Sequence, residues 1–400
     1  MKARAMFGGM MPLFVLGHFS HHVMTALTVP LIPFIRGTFN LDYTASGLVV
    51  SAFTLAYGIG QLPAGWLADR IEPRKLMTVG ISGVALASVL VGLSDAYGWM
   101  IVFLVLMGVL AGGYHPSAPP LILAAVRPEK LGRAMGFHNT GGGASYFVTP
   151  LLAVAIANAW GWRGAYIWLG IPMILFGVAF YILLGRRAPG KNGILSRGKG
   201  DDAGPARPGQ IHRLAVFLFL TTFTSAVVTS AVSFIPLLLV DHYRMSKETA
   251  GVAYAILYTA SFWAGPLGGA LSDRMGSVRV LLAVCGLSGL ANALLVVFAY
   301  GWWLLAPLLL MGAVIYVRMS ASESFIVDQA PIGSRSTILG IYYFAAMEGG
   351  GILTPLVGYL IDRHGFTAAF TLAGALILTV TLACSFLLRK DPPEMNRPRR

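Results

Sequence analysis

The stretch GWLADRIEPRK, Gly65 to Lys75, breaks a long apolar run with two acids and three bases, and GALSDRMGSVR, Gly269 to Arg279, repeats its outline 204 residues later. Both read as a small residue, three further positions, Asp-Arg, and more basic charge just beyond. The same spacing relates Gly47 to Gly251, Gly136 to Gly340 and Gly161 to Gly365. Register held across so much chain marks a duplication, two copies of one unit in parallel order.

What is duplicated follows from composition. Of 400 residues, 56% are hydrophobic and 11% charged, and the mean hydropathy is +0.72. That is too little charge to cover a soluble surface and too much apolar mass for one core, so the chain belongs in a bilayer. Apolar stretches of about 20 residues, the length that crosses the hydrocarbon as helix, alternate with turns rich in Gly, Pro and charge. The short alternating segments of a membrane β-barrel are not the pattern. The predicted spans are 9–35, 44–69, 75–94, 98–125, 133–158 and 164–185, then 213–240, 248–272, 278–299, 302–328, 337–361 and 366–388. The expected fold is therefore an all-α membrane protein with twelve transmembrane helices in two pseudo-symmetric six-helix bundles. Residues 1–185 form the first, residues 186–212 a solvated cytoplasmic linker, and residues 213–400 the second with a short cytoplasmic tail. Histidines interrupt the first apolar stretch and no small-residue cleavage site follows it, so it reads as a retained helix rather than a leader.

The net charge of +13 is explained by topology. With both termini cytoplasmic, 23 of the 29 Lys and Arg fall in cytoplasmic segments. Five fall outside (Arg36, Arg163, Arg244, Lys247 and Arg363) and one, Arg318, within a helix. Anionic lipid headgroups are then the expected partners of the basic turns, and nucleic acid is not. Cys285 and Cys384 both sit in apolar runs and read as small hydrophobes. A bacterial inner membrane is the expected location, and a monomer suffices for the architecture.

With the repeat, the span count and the linker in place, the chain resembles the major facilitator superfamily. GWLADRIEPRK is similar to the family's Gly-x-x-x-Asp-Arg-x-Gly-Arg-Arg/Lys signature at Gly65, Asp69, Arg70, Arg74 and Lys75, and departs from it at Glu72. The second copy matches at Gly269, Asp273, Arg274, Gly276 and Arg279. The resemblance implies a secondary transporter working by alternating access, with its substrate between the two halves near mid-membrane. Asp69, Arg70, Asp273 and Arg274 are then candidate gating residues, a carboxylate at the membrane edge pairing with Arg or a helix N-terminus; alternatively they are topology-setting charges only. A narrower likeness lies in the His-Pro pair His115-Pro116 after Gly112, in Gly141-Gly142-Gly143, and in LGHFSHH, residues 16–22. These are similar to the fosmidomycin-resistance branch, which implies proton-driven export of small organic compounds. The fourth-helix Arg of many proton antiporters in the superfamily is absent, Leu106 and Met107 standing near that place.

Ionisable groups inside a bilayer are costly and are the default site candidates. Arg318, always charged and forked, suits a carboxylate, phosphonate or phosphate of a substrate, or else pairs with Glu348 or Glu323. The cost of a bare charge in apolar surroundings makes Glu348, and secondarily Glu323, candidates to load and release a proton. His18, His21 and His22 share one helical face; His18 and His115 are expected to line the substrate site, and His22 to couple to protons, while His21 and His138 include packing residues. Tyr114 and Tyr342 are candidates to stack on an organic substrate. Clustered histidines can also hold a transition metal, but no Cys or Asp stands beside them in ligand spacing, so no metal and no cofactor are expected. Nucleophile, zinc-protease and nucleotide-binding motifs are missing from the sequence, so neither an enzyme nor an ATP-driven pump is expected. The reading is a carrier of a small organic anion or drug-like compound, proton-coupled and exporting. Proton-coupled uptake, uniport, or transport of a lipid or lysolipid are the alternatives.

Overall fold

The computed structural model describes residues 10–68, 70–126, 131–185, 210–297, 301–329 and 335–388. These residues form helices joined by short turns and divide into two compact units, Met1–Lys199 with Pro236–Ala255, and Gly200–Ile235 with Ile256–Arg400. Residues 186–209 of the expected linker, and Asp69 of the first motif copy, lie outside the described residues.

The first unit holds α1 (Met11–Thr25), α2 (Thr28–Phe39), α3 (Tyr43–Ala68), α4 (Pro73–Leu93), α5 (Tyr97–Ala111), α6 (Tyr114–Ala125) and α7 (Leu131–Gly185). The second holds α8 (Gln210–Ser233), α10 (Ala264–Met275), α11 (Ser277–Val297), α12 (Leu305–Gln329) and α13 (Arg335–Leu388), with α9 (Lys247–Tyr258) entering from the Pro236–Ala255 segment. Helices α7 and α13 are each about two spans long and reverse within themselves. The reversals fall at Gly161 (φ 72°, ψ 167°) and Gly365 (φ 77°, ψ 170°), a backbone region that only glycine occupies readily. These two glycines are one of the pairs 204 residues apart, so the duplication is visible in the backbone itself.

It is visible in the packing too. A side chain on Gly108 would run into the Phe53 carbonyl and the Ala56 methyl, and one on Gly312 into the Leu257 carbonyl and the Ala260 methyl. All three pairs keep the 204-residue offset. The same close crossing of two helices, which only a missing side chain permits, is thus built twice.

Four expected spans are broken, among them 213–240, which turns at Phe234. The first, 9–35, is two helices, because Pro30 supplies no N–H and the chain tightens through Ala26 and Leu27, whose amides bond back to His22 and Met24. The fourth, 98–125, breaks at Gly112-Gly113, just before Pro116. The eighth, 248–272, passes through a tight turn over Thr259–Phe262. The first two breaks matter for function, since they leave His22 and His115 beside helix ends. In α4 a wide turn over Val79–Gly83 serves a similar end: the Gly80 carbonyl accepts a hydrogen bond from His21 Nδ1 at 2.8 Å.

Each unit has its own apolar core. Phe14, Met77, Tyr114, Ile122 and Phe180 centre the first, and Phe217, Cys285, Phe325, Tyr342 and Cys384 the second. Asp241 ties the Pro236–Ala255 segment into the first unit, accepting from Arg36 Nη1 at 2.9 Å and from the Tyr43 hydroxyl at 3.0 Å.

Candidate functional site

In the first unit α1, α6 and α7 bring five histidines together. His18 stacks on His138 (4.1 Å between ring centres, 9° between planes) and Tyr114 on His21 (4.4 Å, 13°), while His115 lies edge-on to His18 and His21. Tyr146 packs against His22. Room for this column comes from glycine, since a side chain on Gly142 would strike the His18 ring and one on Gly80 the Tyr114 backbone.

The hydrogen bonds separate the rings by role. His21 is fully engaged, Nδ1 with the Gly80 carbonyl and Nε2 with the Tyr57 hydroxyl at 2.9 Å, and is a structural residue. His138 donates from Nδ1 to the Phe14 carbonyl at 3.2 Å. His18 Nδ1 donates to the His138 carbonyl at 2.8 Å, while its Nε2 is buried with no partner. His22 Nδ1 meets Thr25 Oγ1 at 2.9 Å. Tyr114 is wholly buried and its hydroxyl is unpartnered.

The second unit is built differently. Arg318, on α12, is only 6% exposed, and its fork is held by neutral oxygens of α8: Nη1 donates to the Thr221 carbonyl and hydroxyl at 3.1 Å each, and Nη2 to Ser225 Oγ at 3.0 Å. Among the described residues no ion pair joins Arg318 to Glu348 or Glu323. Glu348, 8% exposed on α13, has an Oε1 without a hydrogen-bond partner. Glu323 instead accepts from the Tyr343 hydroxyl at 2.7 Å. Tyr342 is 2% exposed, within the apolar core that also holds Phe217 and Phe325. Thr221 and Ser225 escaped the sequence reading because they are two of seven Ser and Thr residues on α8, and only the fold shows which of them meet Arg318.

At the polar turns, Arg70 is exposed, donating to the Trp66 carbonyl at 3.0 Å and lying over the Trp66 ring. Glu72, where the signature has Gly, pairs with Arg74 at 2.8 Å and takes φ −63°; Gly276 at the matching place takes φ 85° and closes α10. The substitution thus changes the turn as well as the charge. Asp273 and Arg274 are both exposed.

A profile of the Major Facilitator Superfamily matches residues 14–234 and again residues 217–400. The chain belongs to this superfamily. Its two matches follow the two copies of the repeat. Among its relatives, the phosphoglycerate transporter protein of Salmonella typhimurium is 25% identical, the match covering 96% of this chain and 89% of that protein. The multidrug resistance protein MdtG of Proteus mirabilis is 28% identical over 82% of each. Among solved structures, a POT family transporter in complex with 5-aminolevulinic acid superposes with a TM-score of 0.81 at 12% identity, covering 94% of this chain and 95% of that one. The protein is an all-helical integral membrane protein of the transporter class, not an enzyme.

Proposed function

We propose that this transporter moves a small organic anion and that Arg318 holds the anionic group. The observation that carries the reading is a guanidinium buried in the second unit whose hydrogen-bond acceptors, among the described residues, are the neutral oxygens of Thr221 and Ser225. A buried charge without a countercharge is strongly disfavoured, and an anionic cargo supplies one whenever the site is occupied. The relative named for phosphoglycerate supports this choice over an uncharged drug.

Coupling is assigned to protons, with Glu348 as the carrier, because it is buried with an unpartnered oxygen whereas Glu323 is already engaged by Tyr343. Export is the favoured direction, supported by the His115-Pro116 pair and the Gly141–Gly143 run that resemble the fosmidomycin-resistance exporters, and by the multidrug relative. The polar turns at Arg70, Asp273 and Arg274 are assigned to gating on the cytoplasmic side of a bacterial inner membrane.

The test uses purified protein in liposomes carrying an internal pH dye, with carboxylates, phosphonates and phosphate esters offered in turn. A substrate-dependent proton movement opposite to substrate flux is expected. Movement in the same direction would make the protein a symporter, and labelled-substrate flux with no proton signal would make it a uniporter and remove Glu348 from the mechanism.

A further inference from the structure

Three of the clustered histidines have the geometry of a ligand set. One ring nitrogen each from His18 and His22 on α1 and His115 on α6 lie within 4.8 Å of one another. We propose that the first unit contains a binding site for a first-row transition-metal dication, with these three imidazoles as its ligands.

The tautomers favour it. A backbone carbonyl only accepts, so His18 Nδ1 carries the hydrogen it gives to His138, and the lone pair of the neutral ring is on Nε2, the atom left buried and without a partner. A ring steered by a carbonyl behind one nitrogen while the other is free is the usual condition of a metal-bound histidine. His22 Nδ1 lies 2.9 Å from Thr25 Oγ1, a hydroxyl able to accept its hydrogen and leave the other ring nitrogen for a metal. Metal–nitrogen bonds of about 2.0–2.1 Å at tetrahedral angles put ligand nitrogens about 3.3 Å apart, so small ring rotations close the set. His115 comes from a second helix, at the start of α6 directly after the Gly112-Gly113 break, with its ring centre 5.6 Å from that of His18 and 5.3 Å from that of His22. A fourth position is left for water or a ligand oxygen.

Packing alone does not account for the three rings. The residues 204 positions later are Thr222, Ala226 and Met319, so the second unit builds the same helices without an imidazole at any of these places. His21, whose two nitrogens are both used, is the structural histidine of the group. The donor set selects the metal class: three neutral imidazoles without carboxylate suit zinc, nickel, cobalt or copper and are a poor match for magnesium or calcium. The sequence reading expected no metal because no Cys or Asp stands beside the clustered histidines in ligand spacing; three imidazoles from two helices make a ligand set without either.

The experiment is a calorimetric titration of the full-length protein, purified on a non-histidine tag, with Zn²⁺, repeated with Co²⁺ and read by visible absorption. One equivalent is expected to bind, with His18→Gln, His22→Gln and His115→Gln each weakening binding at least tenfold, and with the exposed His212→Gln and His364→Gln leaving it unchanged. Absence of saturable binding, or unweakened binding in ligand variants that melt like the parent, overturns the proposal. X-ray absorption of the zinc-loaded parent needs no variant. A shell of about three imidazole nitrogens near 2.0 Å supports the site, and an all-oxygen or sulfur shell overturns it. Because Arg318 takes no part in this site, its failure would leave the anion reading standing.

Discussion

Tyr114 and Arg318 hold the same place in the two units. They are 204 residues apart, on corresponding helices, over corresponding neighbours: Tyr114 lies beside Gly17 and stacks on His21, and Arg318 donates to Thr221 and Ser225, the residues 204 positions after those two. One duplicated scaffold thus carries a column of neutral aromatic rings in its first copy and a lone charged fork in its second. The glycine contacts that set the helix crossings stayed the same while the polar side chains diverged. Packing is constrained by shape and tolerates little change, whereas a charge in the membrane persists only where a function uses it.

Exchanging the two chemistries should break the comparison most severely. Tyr114→Arg would bury a guanidinium beside Gly17 and an already engaged His21, without the hydroxyls that Thr221 and Ser225 provide. A loss of about 3–5 kcal/mol is expected for an uncompensated buried charge, read as a failure to accumulate folded protein in the membrane. A variant that melts like the parent would show that the first unit can host the charge after all.

Gly108→Ala and Gly312→Ala test the shared scaffold. Each pushes a methyl onto a backbone carbonyl of the crossing helix, and overpacking of this kind costs about 1–3 kcal/mol. The two losses should match in thermal unfolding of the detergent-solubilised protein. A large effect at one site and none at the other would mean that the crossings are not equivalent.

Gly161→Ala and Gly365→Ala probe the reversals, where open space surrounds both positions and only the positive φ opposes a side chain. About 1–2 kcal/mol at each is expected from backbone strain alone. The smallest effect should come from Tyr114→Phe, which deletes a buried hydroxyl that bonds to nothing. Stability within about 0.5 kcal/mol of the parent, or slightly above it, is the expectation in the same melting assay, since no hydrogen bond is lost. A marked drop would reveal a hydroxyl partner.

Much of this could be read from the chain itself. The spacing of Gly65 with Gly269 and Gly161 with Gly365, together with the length of the apolar runs, is enough for two six-helix copies, because a bilayer leaves few other solutions. The depth of Arg318 and Glu348 was legible for the same reason. The helix breaks at Ala26-Leu27 and Gly112-Gly113 were not, since Pro30 and Pro116 sit near helix starts, where proline is also tolerated. Nor was the pairing of Gly108 with Gly312, two glycines among 48, although applying the repeat spacing to every glycine would have found it. The separation of His21 from His18 lay beyond reach, for it depends on which carbonyls and hydroxyls meet each ring nitrogen.

The most direct test of the central claim is counterflow of a labelled organic anion into liposomes holding the parent, Arg318→Gln or Arg318→Lys. Arg318→Gln should weaken the apparent affinity tenfold to about a hundredfold, as expected for loss of a charged hydrogen bond of about 1.5–3 kcal/mol. Arg318→Lys should recover only part of it, because the ammonium lacks the fork. An Arg318→Gln protein that exchanges the same anions with unchanged affinity would contradict the account.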